Sequence, residues 1–392
     1  MDKAIGPFTD GRRLTLIGLL AISAMIILIN VWLEVQQGGS KWQQGDWLIN
    51  ALNGYVRRGL AGSLFVHIAD WTSTSPVVVV ALIQSAALSA LLALTFSLFN
   101  PLILQSNYLL LLLSPGFYVL FWAADPAGSL RKELIAFCAM AMLSIFPVLG
   151  HHGPNLRRFW LTVSGLIFAL SCLAHEGNIF LMPAFLTLLW MSGAWLSDRW
   201  FTLSPAFLAI FGTLAGLIYA LMHSHGDVDA VCAPLLERGA PQSLCQGAIA
   251  WINVPLAEGI NRTWAITAEP NFVWKFCVAG IAAALPLLYF IRQLINRKTL
   301  LLACFIACVP IMPLYLIAID WGRWLDMQIT SMVFIVCTMG LQAKLSFRQR
   351  LRPLALSFFI IIGLALSPDH YYALRSFGLL EQLLTLLMHF SG

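Results

Sequence analysis

Apolar runs about as long as a membrane is thick recur along most of this sequence. A hydrocarbon core of ~30 Å is crossed by roughly 20 helical residues, and lipid offers the backbone no hydrogen-bond partner outside the helix. The pattern therefore predicts an all-α, polytopic helical membrane protein with eleven or twelve transmembrane helices. The predicted spans are 14–33, 76–99, 107–122, 134–150, 159–175, 179–196, 203–222, 272–291, 299–319, 325–343, 353–367 and, as a span, a re-entrant segment or a surface helix, 377–390.

Composition agrees with this pattern. Hydrophobic residues make up 59% of the chain, charged residues only 10%, and the mean hydropathy is +0.82, which excludes a soluble domain. No internal repeat is visible, so residues 1–392 are predicted to form one integral membrane domain with two larger loops, 34–75 and 223–271. The first apolar run follows Lys3 and is longer than the apolar region of a signal peptide, so we interpret it as a retained first span.

The distribution of charge predicts an orientation. Lys and Arg favour cytoplasmic connections, and the basic segment KLSFRQRLR (344–352) fits this rule only if the N-terminus is cytoplasmic. Both larger loops then lie on the outer side. Most of the eighteen carboxylates fall on that side too, which indicates that any chemistry takes place there.

Charged residues concentrate in four short outer segments. Because the other outer connections are short, we expect these segments to meet in one chamber. A charged cluster at membrane depth is costly unless it is paired or faces water. The segments are GDWLINALNGYVRRGLAG (45–62), DPAGSLRKE (125–133), AHEGN (174–178) and DWGRWLD (320–326).

The first of these segments has helical periodicity. Apolar residues recur every four positions at Leu48, Leu52, Val56, Leu60 and Leu64, with Asp46 and Arg57 on another side. This pattern predicts an amphipathic helix that lies in the membrane interface within the first outer loop, bent at Gly59 or Gly62.

The residue types in the four segments suit phosphate and sugar chemistry. Arginine binds phosphate through paired, charge-assisted hydrogen bonds, and a carboxylate serves as general base towards an attacking hydroxyl. The candidate phosphate-binding residues are Arg57, Arg58, Arg131, Lys132 and Arg323; the candidate bases are Asp46, Glu176 and Asp320; His175 and Glu133 are further candidates. A purely structural role remains open for each residue: it binds a lipid headgroup, caps a helix, forms a hydrogen bond between helices or forms a local ion pair.

This layout resembles the polytopic bacterial envelope glycosyltransferases of the C-type fold and the related O-antigen-polymerase class. The resemblance rests on the number of spans, the first outer loop with Asp46, and the outer charged segments. The RRGLAG, HE and DWGRW segments also resemble those of bacterial membrane proteins of surface-polysaccharide synthesis. The resemblance implies a periplasmic-facing glycosyltransferase or polymerase of the inner membrane that uses a polyprenyl-(di)phosphate-linked donor.

The sequence departs from this class in its acids. Many C-type enzymes carry paired acids in the first loop, whereas Trp47 follows Asp46 here, so Glu176 and Asp320 compete with Asp46 as base. The resemblance also implies arginines in the second outer loop, where Arg238 and Arg262 lie. Cys232 and Cys245 lie in the same loop, and an oxidising compartment favours a disulfide between them.

Rival functions belong to other classes. A flippase or transporter of a lipid-linked glycan would place charges near the middle of the spans, where the sequence shows none. A membrane acyltransferase would need a catalytic histidine, with His151 or His175 as candidates, and a structural role in an assembly needs no site at all. We expect a polyprenyl-linked glycan, membrane lipids and polysaccharide-assembly proteins as partners, with no nucleic acid, no predicted cofactor and no supported divalent-cation site.

Overall fold

The computed structural model describes residues 7–151, 153–197, 199–371 and 373–391. These residues form an α-helical bundle with one two-stranded hairpin, so the prediction of an all-α polytopic membrane protein is confirmed. Lys3, which the orientation uses, lies outside the described residues.

The chain forms nineteen α-helices in its described part. They are α1 Pro7–Gln36, α2 Gln43–Trp47, α3 Gly59–Thr72, α4 Pro76–Phe99, α5 Leu109–Leu112, α6 Tyr118–Ala124, α7 Glu133–Ile145, α8 Pro154–Ala174, α9 Met182–Met191, α10 Ala194–Ser197, α11 Arg199–Met222, α12 Val228–Leu236, α13 Leu256–Thr267, α14 Phe272–Arg292, α15 Lys298–Cys308, α16 Leu314–Ile317, α17 Trp321–Leu341, α18 Pro353–Ala365 and α19 Gly378–Ser391. The strands are β1 Leu366–Asp369 and β2 Ala373–Ser376, and 3₁₀ turns cover Ser106–Tyr108, Pro126–Gly128, Phe146–His151, Glu176–Leu181, Gln242–Gln246, Ala250–Asn253 and Val309–Ile311.

Seven helical segments of the described chain are long and apolar enough to cross a membrane. They are Gly11–Gln36, Pro76–Phe99, Pro154–Ala174, Phe201–Met222, Phe272–Arg292, Lys298–Ile317 and Trp321–Leu341. Shorter apolar helices cover Glu133–Leu149, Glu176–Met191, Pro353–Ala365 and Gly378–Met388. The finer count of eleven or twelve full spans stays a prediction.

The predicted span 107–122 is not continuous. Its helix breaks between α5 and α6 because Pro115 has no N–H to donate and disfavours a helical conformation at Ser114. At this break the Ser114 hydroxyl donates to the carbonyl oxygen of Ala283 in α14, at 2.6 Å. All residues from Asn107 to Trp122 are buried, so the break is surrounded by protein.

The predicted amphipathic helix across 45–62 is wrong in its extent. The first larger loop (34–75) does contain a 14-residue helix, α3, but it begins only at Gly59. Arg58 has a left-handed backbone (φ 66°), and the chain folds back so closely that a side chain on Gly62 would collide with the backbone of Ile49. Leu48 is therefore buried, and Asp46, which was expected to face water, is buried too, whereas Arg57 stays partly exposed.

The C-terminal hairpin packs against two glycines. Its strands pair antiparallel with Asp369 opposite Ala373. A Cβ on Gly128 would lie 2.8 Å from the Cβ of His370, and a Cβ on Gly322 would collide with the backbone of Asp369. Gly128 therefore lets the tip of the hairpin approach the turn before α7, and Gly322 lets it approach the start of α17.

The second larger loop (223–271) packs against the first (34–75). Asn50 donates to the carbonyl oxygen of Val231 at 2.8 Å, and the backbone N–H of Ala248 donates to Lys41 O at 3.0 Å. The structure forms the predicted disulfide between Cys232 and Cys245, with 6.0 Å between their Cα atoms.

Candidate functional site

Charged residues from all four predicted segments meet at one end of the bundle, where α7 and α17 begin and α8 ends. We call this group the charged cluster. Its residues come from the first larger loop, from the turn before α7, from the end of α8 and from the start of α17, which are far apart in sequence. Its members are Asp46, Arg58, Arg131, Lys132, Glu133, His175, Glu176, Asp320 and Arg323.

Asp46, on the short helix α2, has a completely buried side chain. Its Oδ2 lies 3.5 Å from the Nε of Arg131, and its Oδ1 lies 3.7 Å from the Nη1 of Arg58. Neither oxygen accepts a hydrogen bond from the described residues. Burial alone would raise the pKa of Asp46, but the charges of Arg131, Lys132 and Arg58 lower it well below its usual range, so the carboxylate is ionised.

Arg131 and Lys132 are buried just before α7. Trp47 fixes this turn because its Nε1–H donates to the carbonyl oxygen of Leu130 at 2.9 Å. The Nε of Arg131 has no hydrogen-bond partner in the described chain. Lys132 Nζ donates to Arg58 O at 3.3 Å, and burial lowers the pKa of Lys132 to about 8.

The two adjacent arginines of the first loop have different environments. Arg58 binds Glu176 tightly: its Nε lies 2.9 and 2.8 Å from the two carboxylate oxygens, and its Nη2 lies 2.6 Å from Oε1. Arg57 lies 3.8 Å from Glu176 and donates to the carbonyl oxygens of Trp251 at 3.1 Å and Ile252 at 3.4 Å. Arg58 thus belongs to the charged cluster, whereas Arg57 ties the first loop to the second.

Arg323 forms ion pairs with two of the candidate carboxylates. Its guanidinium donates to Glu133 through Nε and Nη2 and also pairs with Asp320 through Nη1. Burial would raise the pKa of Asp320, but the charges of Arg323, Arg131 and His370 lower it. Asp320 accepts a hydrogen bond from Arg323, whereas the oxygens of Asp46 accept none from the described residues, so Asp46 is the better candidate base.

His175 lies where α8 ends, with its side chain buried. Its Nδ1 accepts the backbone N–H of Gly177 at 2.8 Å. The nearby Asn178 donates to the carbonyl oxygens of Lys132 at 3.2 Å and Ser171 at 3.1 Å, which ties this turn to the start of α7.

The two arginines of the second loop make their ion pairs elsewhere. Arg238 pairs with Asp70, at the end of α3, with distances of 2.6 and 2.8 Å. Arg262 pairs with Glu258 on its own helix and lies over the ring of Trp251. Both pairs are largely exposed, so the structure does not bring these candidates into the charged cluster.

A second polar group was not predicted from the sequence. His370 Nδ1 lies 2.6 Å from Asp125 Oδ2, and Arg375 lies 3.0 Å from Asp369 and 3.8 Å from Asp125. Asp125 also caps the turn that follows it, because its side chain accepts from Gly128 N. The remaining partners lie on the hairpin, about 245 residues away, where no local pattern indicates them.

This second group also contains the candidate metal ligands of the described chain. Asp125, Asp369 and His370 offer ligand atoms within 4.8 Å of one another. The guanidinium of Arg375 lies beside both carboxylates and offsets part of their charge, so a cation would compete with it. A cleft of about 450 Å³ opens beside Arg375 and is lined by Asp369, Leu374, Arg375, Ser376, Phe377 and Glu381.

The charged cluster combines groups that suit an anionic ligand. It holds buried cationic donors, an ionised carboxylate without hydrogen bonds and an arginine nitrogen without an acceptor. Such a set can bind phosphate and take up a proton from an attacking hydroxyl. The chain matches no protein-family model, no curated protein and no solved structure.

Proposed function

We propose that this protein is a membrane glycosyltransferase or polysaccharide polymerase. It transfers a sugar or an oligosaccharide from a polyprenyl-(di)phosphate carrier to an acceptor hydroxyl at the periplasmic face of a bacterial inner membrane. One observation carries the proposal: the buried carboxylate of Asp46 lies beside Arg131 and Arg58 and accepts no hydrogen bond from the described chain. A buried polar group without a partner is rare in folded proteins, and a missing ligand accounts for it.

In the proposed step the acceptor oxygen attacks the anomeric carbon of the donor. The bond from that carbon to the phosphate oxygen breaks, and its electron pair leaves with the phosphate. The hydroxyl proton passes to Asp46. Arg131 and Lys132 stabilise the negative charge that develops on the departing oxygen, because buried donors act strongly where water is excluded.

Donor binding also makes Asp46 a stronger base. Without ligand, the cations around Asp46 keep its pKa well below the usual range, which weakens it as a proton acceptor. A bound phosphate pairs with the same cations and partly cancels their field. The pKa of Asp46 then rises, so the carboxylate becomes basic when the donor is in place.

The other predicted site residues take positioning roles in this proposal. Arg58 is held by Glu176 and places its backbone carbonyl at Lys132. Arg323 holds Glu133 and Asp320 at the starts of α7 and α17. These pairs fix the cluster in advance, which reduces the reorganisation that the reaction requires.

The test is a mass-spectrometric profile of polyprenyl-linked glycans and surface polysaccharide in a strain that lacks this gene. The strain is complemented with the wild type, with Asp46→Asn, or with Arg238→Gln as control. We expect Asp46→Asn to reproduce the deletion profile when its protein level is matched to that of the wild type, and Arg238→Gln to restore the wild-type profile, because Arg238 pairs with Asp70 at the surface.

Each profile distinguishes a function. Single lipid-linked repeat units that accumulate while long chains disappear indicate a polymerase, and a polymer without one sugar branch indicates a single-sugar transferase. Repeat units held on the inner leaflet indicate a flippase and contradict the proposal. An unchanged profile in the deletion strain removes a role in glycan synthesis altogether.

A further inference from the structure

His175 has a defined tautomer. Its Nδ1 accepts the backbone N–H of Gly177 at 2.8 Å, so a neutral imidazole carries its proton on Nε2. The side chain is 5% exposed, and Nε2 has no hydrogen-bond partner among the described residues. The Nε2–H is not fully enclosed by protein, so it is accessible to an acceptor on a bound ligand.

The local backbone is built for this hydrogen bond. A Cβ on Gly177 would lie 2.7 Å from the Cε1 and 2.8 Å from the Nδ1 of His175, so only glycine allows the imidazole to lie against this backbone. The backbone N–H of Asn178 donates to His175 O at 3.1 Å and closes the turn. The position of the ring is thus set by the chain itself.

The charges around the ring keep it neutral. Burial lowers the pKa of His175, and Arg58 and Arg323 lower it further, whereas Asp46 and Glu176 act in the opposite direction. The net effect places the pKa well below the usual value for histidine. This direction agrees with the hydrogen bond at Nδ1, which only a ring without a proton on that nitrogen can accept.

We infer that His175 is a catalytic hydrogen-bond donor to the donor phosphate, through its Nε2–H. The inference rests on the proposed function and names a further residue for its transition state. His175 keeps its proton during the reaction: it donates a hydrogen bond to the oxygen that receives the electron pair of the broken bond, while the hydroxyl proton passes to Asp46. A neutral donor suits this role because it does not neutralise Asp46.

The tautomer is measured first, without reference to activity. The full-length protein is labelled with ¹⁵N-histidine, and the ring nitrogen shifts of His175 are assigned with His175→Gln and followed from pH 5.5 to 8. We expect a protonated Nε2, an unprotonated Nδ1 and no titration in this range. A protonated Nδ1, or an imidazolium at neutral pH, would overturn the inference.

Two substitutions then test the role in the reaction. Glutamine places an N–H near the position of Nε2, whereas asparagine reaches only the position of Nδ1. In steady-state reactions with the purified protein and lipid extract of the deletion strain, we expect His175→Asn to slow transfer roughly 10²–10³-fold, mostly in kcat, and His175→Gln to recover part of the rate. Equal rates for wild type, Asn and Gln variants would contradict the inference, as would a change in KM alone.

Failure of this inference differs from failure of the proposed function. If Asp46→Asn abolishes transfer but His175 carries its proton on Nδ1, the inference falls and the proposed function stands. If the tautomer is as expected but Asp46→Asn leaves the glycan profile unchanged, the proposed function falls, and the catalytic role of His175 falls with it.

Discussion

Arg323 and Glu133 join α17 to α7 through two parallel hydrogen bonds. The Nε of Arg323 donates to Oε1 at 2.9 Å and its Nη2 donates to Oε2 at 3.1 Å. Both side chains are almost completely buried, at 3% and 4% exposure. The pair therefore connects the starts of two helices that carry the charged cluster and fixes their relative position.

Removing one partner of this pair should destabilise the protein. Arg323→Gln leaves the Glu133 carboxylate buried without its counter-charge, which costs about 3–5 kcal/mol. We expect a clearly lower melting temperature in detergent and a lower protein level in membranes. Arg262→Gln is the control, because its pair with Glu258 is exposed and such pairs contribute roughly 0–1 kcal/mol. An unchanged melting temperature for Arg323→Gln would contradict the structural role of the pair.

The adjacent arginines of the first loop should respond differently to lysine. Arg58→Lys keeps the charge but loses the two-point contact with Glu176, and we expect activity to fall by on the order of tenfold or more. Arg57→Lys should change activity by less than about threefold, because an ammonium can still donate to the carbonyl oxygens of Trp251 and Ile252. The measurement is the transfer rate at matched protein level, and equal losses for both variants would show that the two arginines act as one unit.

Long apolar runs made the fold predictable. A run such as 76–99 has only one way to satisfy its backbone in lipid, and α4 begins and ends at these residues. The same reasoning missed the break at Pro115, because composition shows that a segment is buried but does not show whether lipid or protein surrounds it. It also extended a helical pattern across 45–62, where the chain folds back at Arg58.

The charged cluster was predictable in part. Charged residues are rare in this apolar chain and are expected to pair with one another. Asp46, Arg58, Glu176 and Arg323 could therefore be grouped from the sequence, although their roles stay predictions. Which of these residues pair with each other could not be predicted from the sequence, because pairing depends on the distances between side chains. His370 could not be found either: its partner Asp125 is distant in sequence, and the hairpin that carries it has no helical period.

Lys132 should give the protein a dependence on alkaline pH. Burial lowers its pKa from the usual 10.5 to about 8, so its charge in the folded protein is lost as the pH rises through about 8. We expect the KM for the anionic donor to increase above this pH. Between about 8 and 10.5 the unfolded chain binds the proton more strongly than the folded one, so the contribution of Lys132 to stability rises with pH in that window.

The lysine can be separated from other groups by two substitutions. Lys132→Arg keeps a positive charge at high pH and should abolish the rise in KM, whereas Lys132→Gln should show a high KM at every pH. The measurement is the initial rate of transfer between pH 6.5 and 9.5. If Lys132→Gln shows the same pH dependence as the wild type, another group is responsible for it.

The disulfide between Cys232 and Cys245 provides a test of orientation. Of the eight cysteines in the chain, the other six are free. If the second loop faces an oxidising compartment, denatured protein from freshly quenched membranes should bind six maleimides without reductant and eight with it. The Cys232→Ser/Cys245→Ser variant should bind six in both cases and lose about 2–4 kcal/mol of stability. It should also lose activity, because the disulfide-bonded loop holds Asn50, and with it the segment that carries Asp46 and Arg58. Eight labels without reductant would place this loop in a reducing compartment and would reverse the predicted orientation.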